Sequence, residues 1–166
     1  MDLRARYTLK IIQETFLTLL EKKSLDKITV SELCAVAQIN RSTFYRHYRD
    51  VYAIVEKNVQ QIIEEISKQM AQSSLPMAQQ FERVFEILYQ QKTFFLLLKR
   101  QSALKAISAS FFRSFPFLSG NQEVGLPQYF TYYGFVGVFR YWLAHDMRES
   151  PTEISKQAFA LFQKIN

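Results

Sequence analysis

The chain has 166 residues, 48% of them apolar and 22% charged, a net charge of +6, and fifteen Phe and nine Tyr against only four Gly and four Pro. This composition excludes a disordered chain and a turn-rich sheet protein, and it predicts an all-α globular protein with a substantial core. One cysteine, Cys34, leaves no partner for an internal disulfide or a thiolate metal site, and no apolar run approaches the ~18 residues that a membrane span needs. The charged start, Met1 to Lys10, lacks the apolar stretch of a secretory signal, so a cytoplasmic protein with no metal and no cofactor is expected.

In chain order, Leu3, Tyr7, Ile11, Ile12, Thr15, Phe16, Leu19 and Leu20 recur at the spacing of an amphipathic helix over Leu3 to Lys23, with Asp2 placed to cap it. Thr29-Val30-Ser31-Glu32 is a capping box, and it opens a short helix with Val30, Leu33, Cys34 and Ala37 on one face. Gln38-Ile39-Asn40 interrupts that pattern. Asn40 is a favoured cap for a third helix over Arg41 to Tyr48, and Asp50 for a fourth that reaches to about Ala71 with Val51, Val55, Val59, Ile62, Ile63 and Ile66 as its apolar stripe. At ~1.5 Å per residue the fourth helix spans about 30 Å, enough to connect two domains.

Ser73-Ser74-Leu75-Pro76 is the first strong break, which divides the chain into a head, residues 1 to 57, and a C-terminal helical domain, residues 58 to 166. In the latter, residues 76 to 91 predict a helix with Phe81, Val84, Phe85 and Leu88 inward, Thr93 to about Phe115 one or two more, and Pro116 to Pro127 a loop. Pro127 opens a long apolar helix to about Arg148. Ser150-Pro151-Thr152-Glu153 then combines an N-cap, a first-turn Pro and a third-position Glu, and starts a last helix with Ile154, Ala158, Leu161, Phe162 and Ile165 on one stripe.

Bulk charge does not locate a binding face, because ten Lys and Arg against seven Asp and Glu in residues 1 to 57 are matched by eleven against eight in the rest. The local signal is stronger. Arg41 to Arg49 holds Arg41, Arg46, His47 and Arg49 with hydroxyls and aromatics and no acid, on the second of two short helices joined by a three-residue turn. A helix-turn-helix lays that second helix in the major groove, so its outer face must be polar and its inner face must fix the angle. Leu33, Ala37, Ile39, Phe44 and Tyr48 suit the inner role, and Arg41, Ser42, Thr43, Tyr45, Arg46 and His47 the outer one.

Ile28-Thr29-Val30 followed by Ser42-Thr43-Phe44-Tyr45-Arg46-His47-Tyr48 resembles the DNA-binding domain of the TetR family of bacterial regulators over residues 5 to 57. The resemblance implies that Thr29 caps the second helix and touches phosphate, that Arg41, Ser42, Thr43 and Tyr45 contact bases or backbone, and that His47 and Tyr48 lie against the phosphates and the core. Arg41, Thr43 and Tyr45 are the base-reading candidates, and Thr29, Ser42, Arg46, His47 and Arg49 the backbone ones. Two positions depart from the family: Gln38 stands where Gly is usual in the turn, and Val51 where a Lys usually opens the fourth helix. Arg49 is the substitute for that cation suggested by sequence.

Gly134-Phe135-Val136-Gly137 with Tyr141-Trp142-Leu143 and Ser150-Pro151-Thr152-Glu153 resembles the dihydroxyacetone kinase regulator subgroup of the same family. By that resemblance the last two helices pair with a second copy in a four-helix interface, with Gly134, Gly137, Tyr141, Ile154, Ala158 and Phe162 as its residues. Phe85, Phe111, Phe112, Phe115 and Tyr133 are candidates for an effector pocket, although core or dimer packing is the commoner use of such aromatics.

Cys34 reads as a packed thiol and His145 as a cation near a helix end. Glu64 with Glu65 and Glu82 with Glu86 lie on polar stripes, no phosphate loop or nucleophile elbow is present, and no enzyme is expected. The expectation is a homodimeric repressor that binds a palindromic operator in double-stranded DNA and responds to a small-molecule effector, with no membrane role. The alternative is a co-regulator whose C-terminal domain binds a protein partner instead.

Overall fold

The computed structural model describes residues 3–72, 74–100 and 125–165. Eight α-helices and no strand are found among them: α1 (Leu3–Lys22), α2 (Val30–Ala37), α3 (Arg41–Tyr45), α4 (Tyr52–Gln72), α5 (Met77–Gln90), α6 (Lys92–Arg100), α7 (Leu126–Ala144) and α8 (Pro151–Ile165). A 3-10 turn, Leu25–Lys27, precedes α2. The expected cap Asp2, the course of the chain beyond Arg100 towards Phe115 and the loop up to residue 124 lie outside the described residues. No described helix is long and apolar enough to cross a membrane.

Two compact units divide the described chain. The first holds residues 3–59 with 97–100, and the second residues 60–96 with 125–165.

In the first unit α1 packs on α2, and α2 on α3. The buried stripe of α1 is Leu9, Ile12, Thr15, Phe16, Leu19 and Leu20. Leu3 and Tyr7, expected on that stripe, are exposed instead, ahead of Leu9, where the buried face of α1 begins. Every member of the expected α4 stripe, from Val51 through Ile66, is buried, and Ile54 joins them. Asp50 Oδ1 accepts from the Ala53 N–H at 2.8 Å and so caps the start of α4, while Gln13 Nε2 donates to Asn58 Oδ1 at 2.7 Å and fixes α1 against α4.

In the second unit α8 packs along α5 and against α7. Its interior is aromatic: Phe85 lies 5.2 Å from Phe135 and 5.5 Å from Trp142, and Phe95 lies 5.1 Å from Phe139, ring centre to ring centre. Such pairs add to area burial by roughly 1 kcal/mol each. Phe81 is only half-buried, at the edge of this core, where it meets Phe135, Phe159 and Phe162.

The junction between α7 and α8 is tightly specified. Met147 N–H reaches the Trp142 carbonyl at 2.8 Å and Asp146 N–H the Leu143 carbonyl at 3.1 Å, a Schellman ending with Asp146 and Met147 both at positive φ. This ends the helix at Ala144, short of the expected Arg148. Lys92 Nζ donates to the Met147 carbonyl at 2.7 Å and Trp142 Nε1 to the Glu149 carbonyl at 3.1 Å. Glu153 then accepts at Oε2 from the Ser150 N–H at 2.8 Å, and Ser150 Oγ accepts from the Glu153 N–H at 3.2 Å, so the expected capping box is formed in both directions.

Candidate nucleic-acid interface

The bihelical element begins at Thr29, whose hydroxyl accepts from the Glu32 N–H at 3.2 Å. Only this half of the first capping box forms. The Glu32 carboxylate is engaged by Lys23 instead of by the backbone of Thr29. At the other end of α2 the Ile39 N–H bonds the Cys34 carbonyl at 3.0 Å and the Gln38 N–H the Ala35 carbonyl at 3.3 Å, with Gln38 at φ 53° and ψ 43°. The turn of the helix-turn-helix is thus a second Schellman ending, with a left-handed residue at the position where glycine is preferred. Gln38 adopts the conformation that a glycine would, against a cost of about 1 kcal/mol for a side chain there.

Asn40 occupies the cap position of α3, but through its backbone: its carbonyl accepts from the Thr43 and Phe44 N–H groups at 2.9 and 3.1 Å, and its side chain makes no cap bond. The α-helix ends at Tyr45, not at the expected Tyr48, and residues 46 and 47 form a turn. Phe44 is 0% exposed and anchors α3 to the head. Tyr45, 56% exposed, stands edge-on to it at 5.6 Å, and Arg41, Ser42 and Arg46 are exposed beside it. Thr43 is half-buried, and its hydroxyl accepts from Arg46 Nη2 at 3.2 Å.

His47 is half-buried, and its pKa is held below the ordinary imidazole value first by burial, then by the charges of Lys57 and Arg46. Tyr48 is 2% exposed, packed on Phe44 at 5.7 Å. Burial pushes its phenol pKa up, with the Gln13 side chain acting the other way. Tyr48 therefore has its place in the core of the head and offers no outward surface. Burial likewise raises the Cys34 thiol, opposed by the Arg41 charge, which suits a packed neutral thiol.

Arg49 is exposed but already committed. Its Nη2 donates to both carboxylate oxygens of Glu56 at 2.9 Å, and its Nε lies 3.5 Å from Asp50 Oδ2. Val51 is buried, so the first turn of α4 offers no cation to solvent. The cation that α4 does bring to this region is Lys57, whose Nζ sits 5.1 Å from the centre of the Tyr48 ring. Sequence reading missed it. Its only signal there is a place one turn after Ala53 and Ile54, which reads as an ordinary solvated position until α4 is laid against Tyr48.

The proposed dimer residues separate in the second unit. Gly134, Gly137 and Tyr141 lie on the outward side of α7, in line with exposed Leu126, Tyr129, Phe130 and Tyr133. Ile154 and Ala158 are buried inside the protomer, where α8 packs on α5 and α7, and Phe162 joins the Phe81 and Phe159 cluster. A stripe of apolar residues on α8 carries no mark of whether it faces its own chain or another; here its own chain takes Ile154 and Ala158. Of the effector candidates, Phe85 is wholly buried against Phe135 and Trp142, while Tyr133 is 57% exposed and stacked on Tyr129 at 6.0 Å. Phe85, on α5, faces the inward side of α7, and Tyr133 lies on its exposed side; Phe111, Phe112 and Phe115 lie outside the described residues.

Among the described residues no three of His, Cys, Asp and Glu gather as a metal-binding group. Among the described residues a bihelical head is followed by a separate helical unit, and the fold is that of the TetR regulators. The chain aligns with the dihydroxyacetone kinase operon activator DhaS at a TM-score of 0.63 and 16% identity over 95% of this chain and 94% of that one. It aligns with a TetR transcriptional regulator from Streptococcus agalactiae 2603V at 0.62 and 18% identity, over 96% and 95% of the two chains. The fatty acid degradation regulator FadR from Bacillus halodurans gives 0.61 and 11% identity, over 93% and 94%. Residues 121–164 match the family model described as a TetR-type transcriptional regulator C-terminal region. No curated protein sequence matches the chain. Fold and C-terminal region together support the assignment to the TetR family that the sequence suggests.

Proposed function

We propose that the chain is a sequence-specific DNA-binding repressor of the TetR type, acting as a homodimer in the cytoplasm and released by an effector. The observation that carries this reading is the division of α3: Phe44 is fixed in the core while Arg41, Ser42 and Tyr45, with Arg46 just after them, are left outward on a helix whose angle is set by the Schellman turn at Gln38. A groove-reading helix needs that division of faces. Arg41, Thr43 and Tyr45 read base edges in this proposal, and Thr29, Ser42, Arg46 and His47 seat the backbone. Arg49 adds its charge only after leaving Glu56.

A two-fold dimer would present two such helices about 34 Å apart to a palindromic site. The outward side of α7 supports a second copy as its neighbour, since its exposed aromatics flank two glycines that let another helix approach closely. An effector would act by binding unequally to dimers with right and wrong head spacing.

The test is an anisotropy titration of the protein against DNA from upstream of its own coding sequence and against a scrambled duplex, at about 150 mM salt. A preference of ~10³ or more is expected of a specific regulator. Equal, weak binding to both, with a protein partner retained on the chain through α7, would replace this reading with the co-regulator one.

A further inference from the structure

Basic groups from two different elements gather around His47. Lys57 comes from the second turn of α4, with its ammonium held over the Tyr48 ring at 5.1 Å, and it and Arg46, from the same turn as His47, are the two charges that act on the imidazole; the Arg46 Nη2 also donates to the Thr43 hydroxyl at 3.2 Å. Tyr48 is itself locked against Phe44 in the core, so the position of Lys57 is restrained and less side-chain entropy remains to be lost when it meets an anion.

The carboxylates nearest in sequence are committed elsewhere. Glu56 is held by Arg49 through both oxygens, and Asp50 caps α4 at the Ala53 N–H and also meets Arg49. Among the described residues no acid pairs with Arg46 or Lys57, and the charged groups that act on His47 are Lys57 from α4 and Arg46 from its own turn, both positive. Like charges gathered around a half-buried imidazole are unfavourable in the free protein and suit an anion that has yet to arrive. With Val51 buried, Lys57 is also the first cation that α4 carries.

We propose that Arg46, His47 and Lys57 form one seat for a backbone phosphate of duplex DNA, and that His47 takes up a proton when the phosphate enters. This rests on the DNA-binding reading above and adds to it a residue, Lys57, and a proton. In the free protein burial and the two neighbouring cations favour the neutral imidazole of His47. A phosphodiester at hydrogen-bond distance reverses the local balance, because its negative charge favours the imidazolium. Binding then strengthens as pH falls through the raised value of the complex and levels off below the value of the free protein.

The test uses the whole chain and a fluorescent mixed-sequence duplex at about 50 mM salt, where backbone contacts dominate affinity. Binding is expected to tighten several-fold between roughly pH 8 and pH 6, approaching the ~10-fold limit of a one-unit shift of one group only below the pKa of the free protein. His47→Gln should flatten that dependence. His145→Gln should not, because the only other histidine belongs to the second unit, exposed and with its Nδ1 at 2.8 Å from the Tyr141 carbonyl. Lys57→Gln should lower the slope of log affinity against log salt by about one, and Lys57→Arg should restore it. Circular dichroism of each variant at both pH values separates lost binding from lost folding. Binding that is independent of pH, or a salt slope unchanged in Lys57→Gln, overturns the proposal and leaves the DNA reading standing. Absence of duplex binding at both pH values, in a folded protein, overturns the two together.

Discussion

The backbone N–H of Ile39 closes on the carbonyl of Cys34 at 3.0 Å, across a Gln38 held at φ 53°. The bond sets the direction in which the chain leaves α2, and hence the angle between α2 and α3. A side chain at positive φ costs about 1 kcal/mol, while glycine visits that region freely but loses more entropy on folding. Gln38→Gly should therefore raise stability modestly, by ~0.5 kcal/mol, and Gln38→Val should lower it by at least 1 kcal/mol, because a β-branched residue is a clear outlier there. Urea unfolding of the two variants checks this, and a stabilised Gln38→Val would mean that the turn is not left-handed.

Phe44 and Tyr45 are adjacent and opposite in use. Phe44→Ala empties a fully buried site and should cost ~3–5 kcal/mol of stability. Tyr45→Ala removes an exposed ring and should change stability by no more than about 0.5 kcal/mol, yet weaken binding to a selected operator by ~10-fold or more. Thermal melts and anisotropy on the same pair of proteins check both halves.

How far these roles were legible in sequence depends on what local chemistry marks. The α4 stripe was fully readable, because Val51, Val55, Val59, Ile62, Ile63 and Ile66 alternate at helical spacing with polar residues that leave one solution. Ser150 with Glu153 was readable because the cap is made by the residues that announce it. Leu3 and Tyr7 misled, since periodicity reports a face but not where along it burial begins. Ile154 and Ala158 misled for a related reason: apolar spacing on α8 says that the face is covered without saying by which chain. Lys57 was invisible because its role arises from α4 lying against Tyr48, a contact that no local pattern records.

Arg49 and Glu56 allow the charge reading to be tested from the acid side. The pair is exposed, so breaking it should cost less than about 1 kcal/mol of stability. Glu56→Gln removes the charge that makes both bonds to Arg49 strong and leaves Asp50 as its remaining acid, and the less firmly held guanidinium should add one phosphate contact. Duplex binding by Glu56→Gln should be tighter at low salt, with a salt slope steeper by about one. An unchanged slope would mean that Arg49 does not reach the backbone, with or without its partner.

Glu153 gives the second unit a pH signature. Its carboxylate accepts from Ser150 Oγ at 2.7 Å and from the Ser150 N–H at 2.8 Å, and these bonds, in that order, hold its pKa below the ordinary Glu value. A carboxyl depressed by folding contributes stability that is present above its unfolded pKa and is lost as pH falls through the folded one. The difference in Tm between the parent chain and Glu153→Gln should thus be largest near neutrality and shrink as pH is lowered through the acid range. A difference that stays constant with pH would show that the charge on Glu153 does not matter to the cap.

Gly134 and Gly137 separate what a protomer needs from what a dimer needs. A Cβ added at either meets no atom of the described residues within 4 Å, so none of these requires glycine there. Both sit inside α7, where glycine costs ~1 kcal/mol relative to alanine. If the outward side of α7 is buried against the same helix of a second copy, the cost is offset by a closer approach of the two backbones. Gly137→Leu should then leave the protomer folded while overpacking the interface by ~1–3 kcal/mol at each of its two symmetric occurrences, enough to dissociate the dimer at micromolar concentration. Tyr141→Glu, which places a charge on the same exposed line, should do likewise without any demand on space. Sedimentation velocity on the parent and both variants decides it: a parent dimer that survives both changes would remove α7 from the interface, and a Gly137→Leu protein that melts below the parent even as a monomer would mean that the glycine serves the protomer after all.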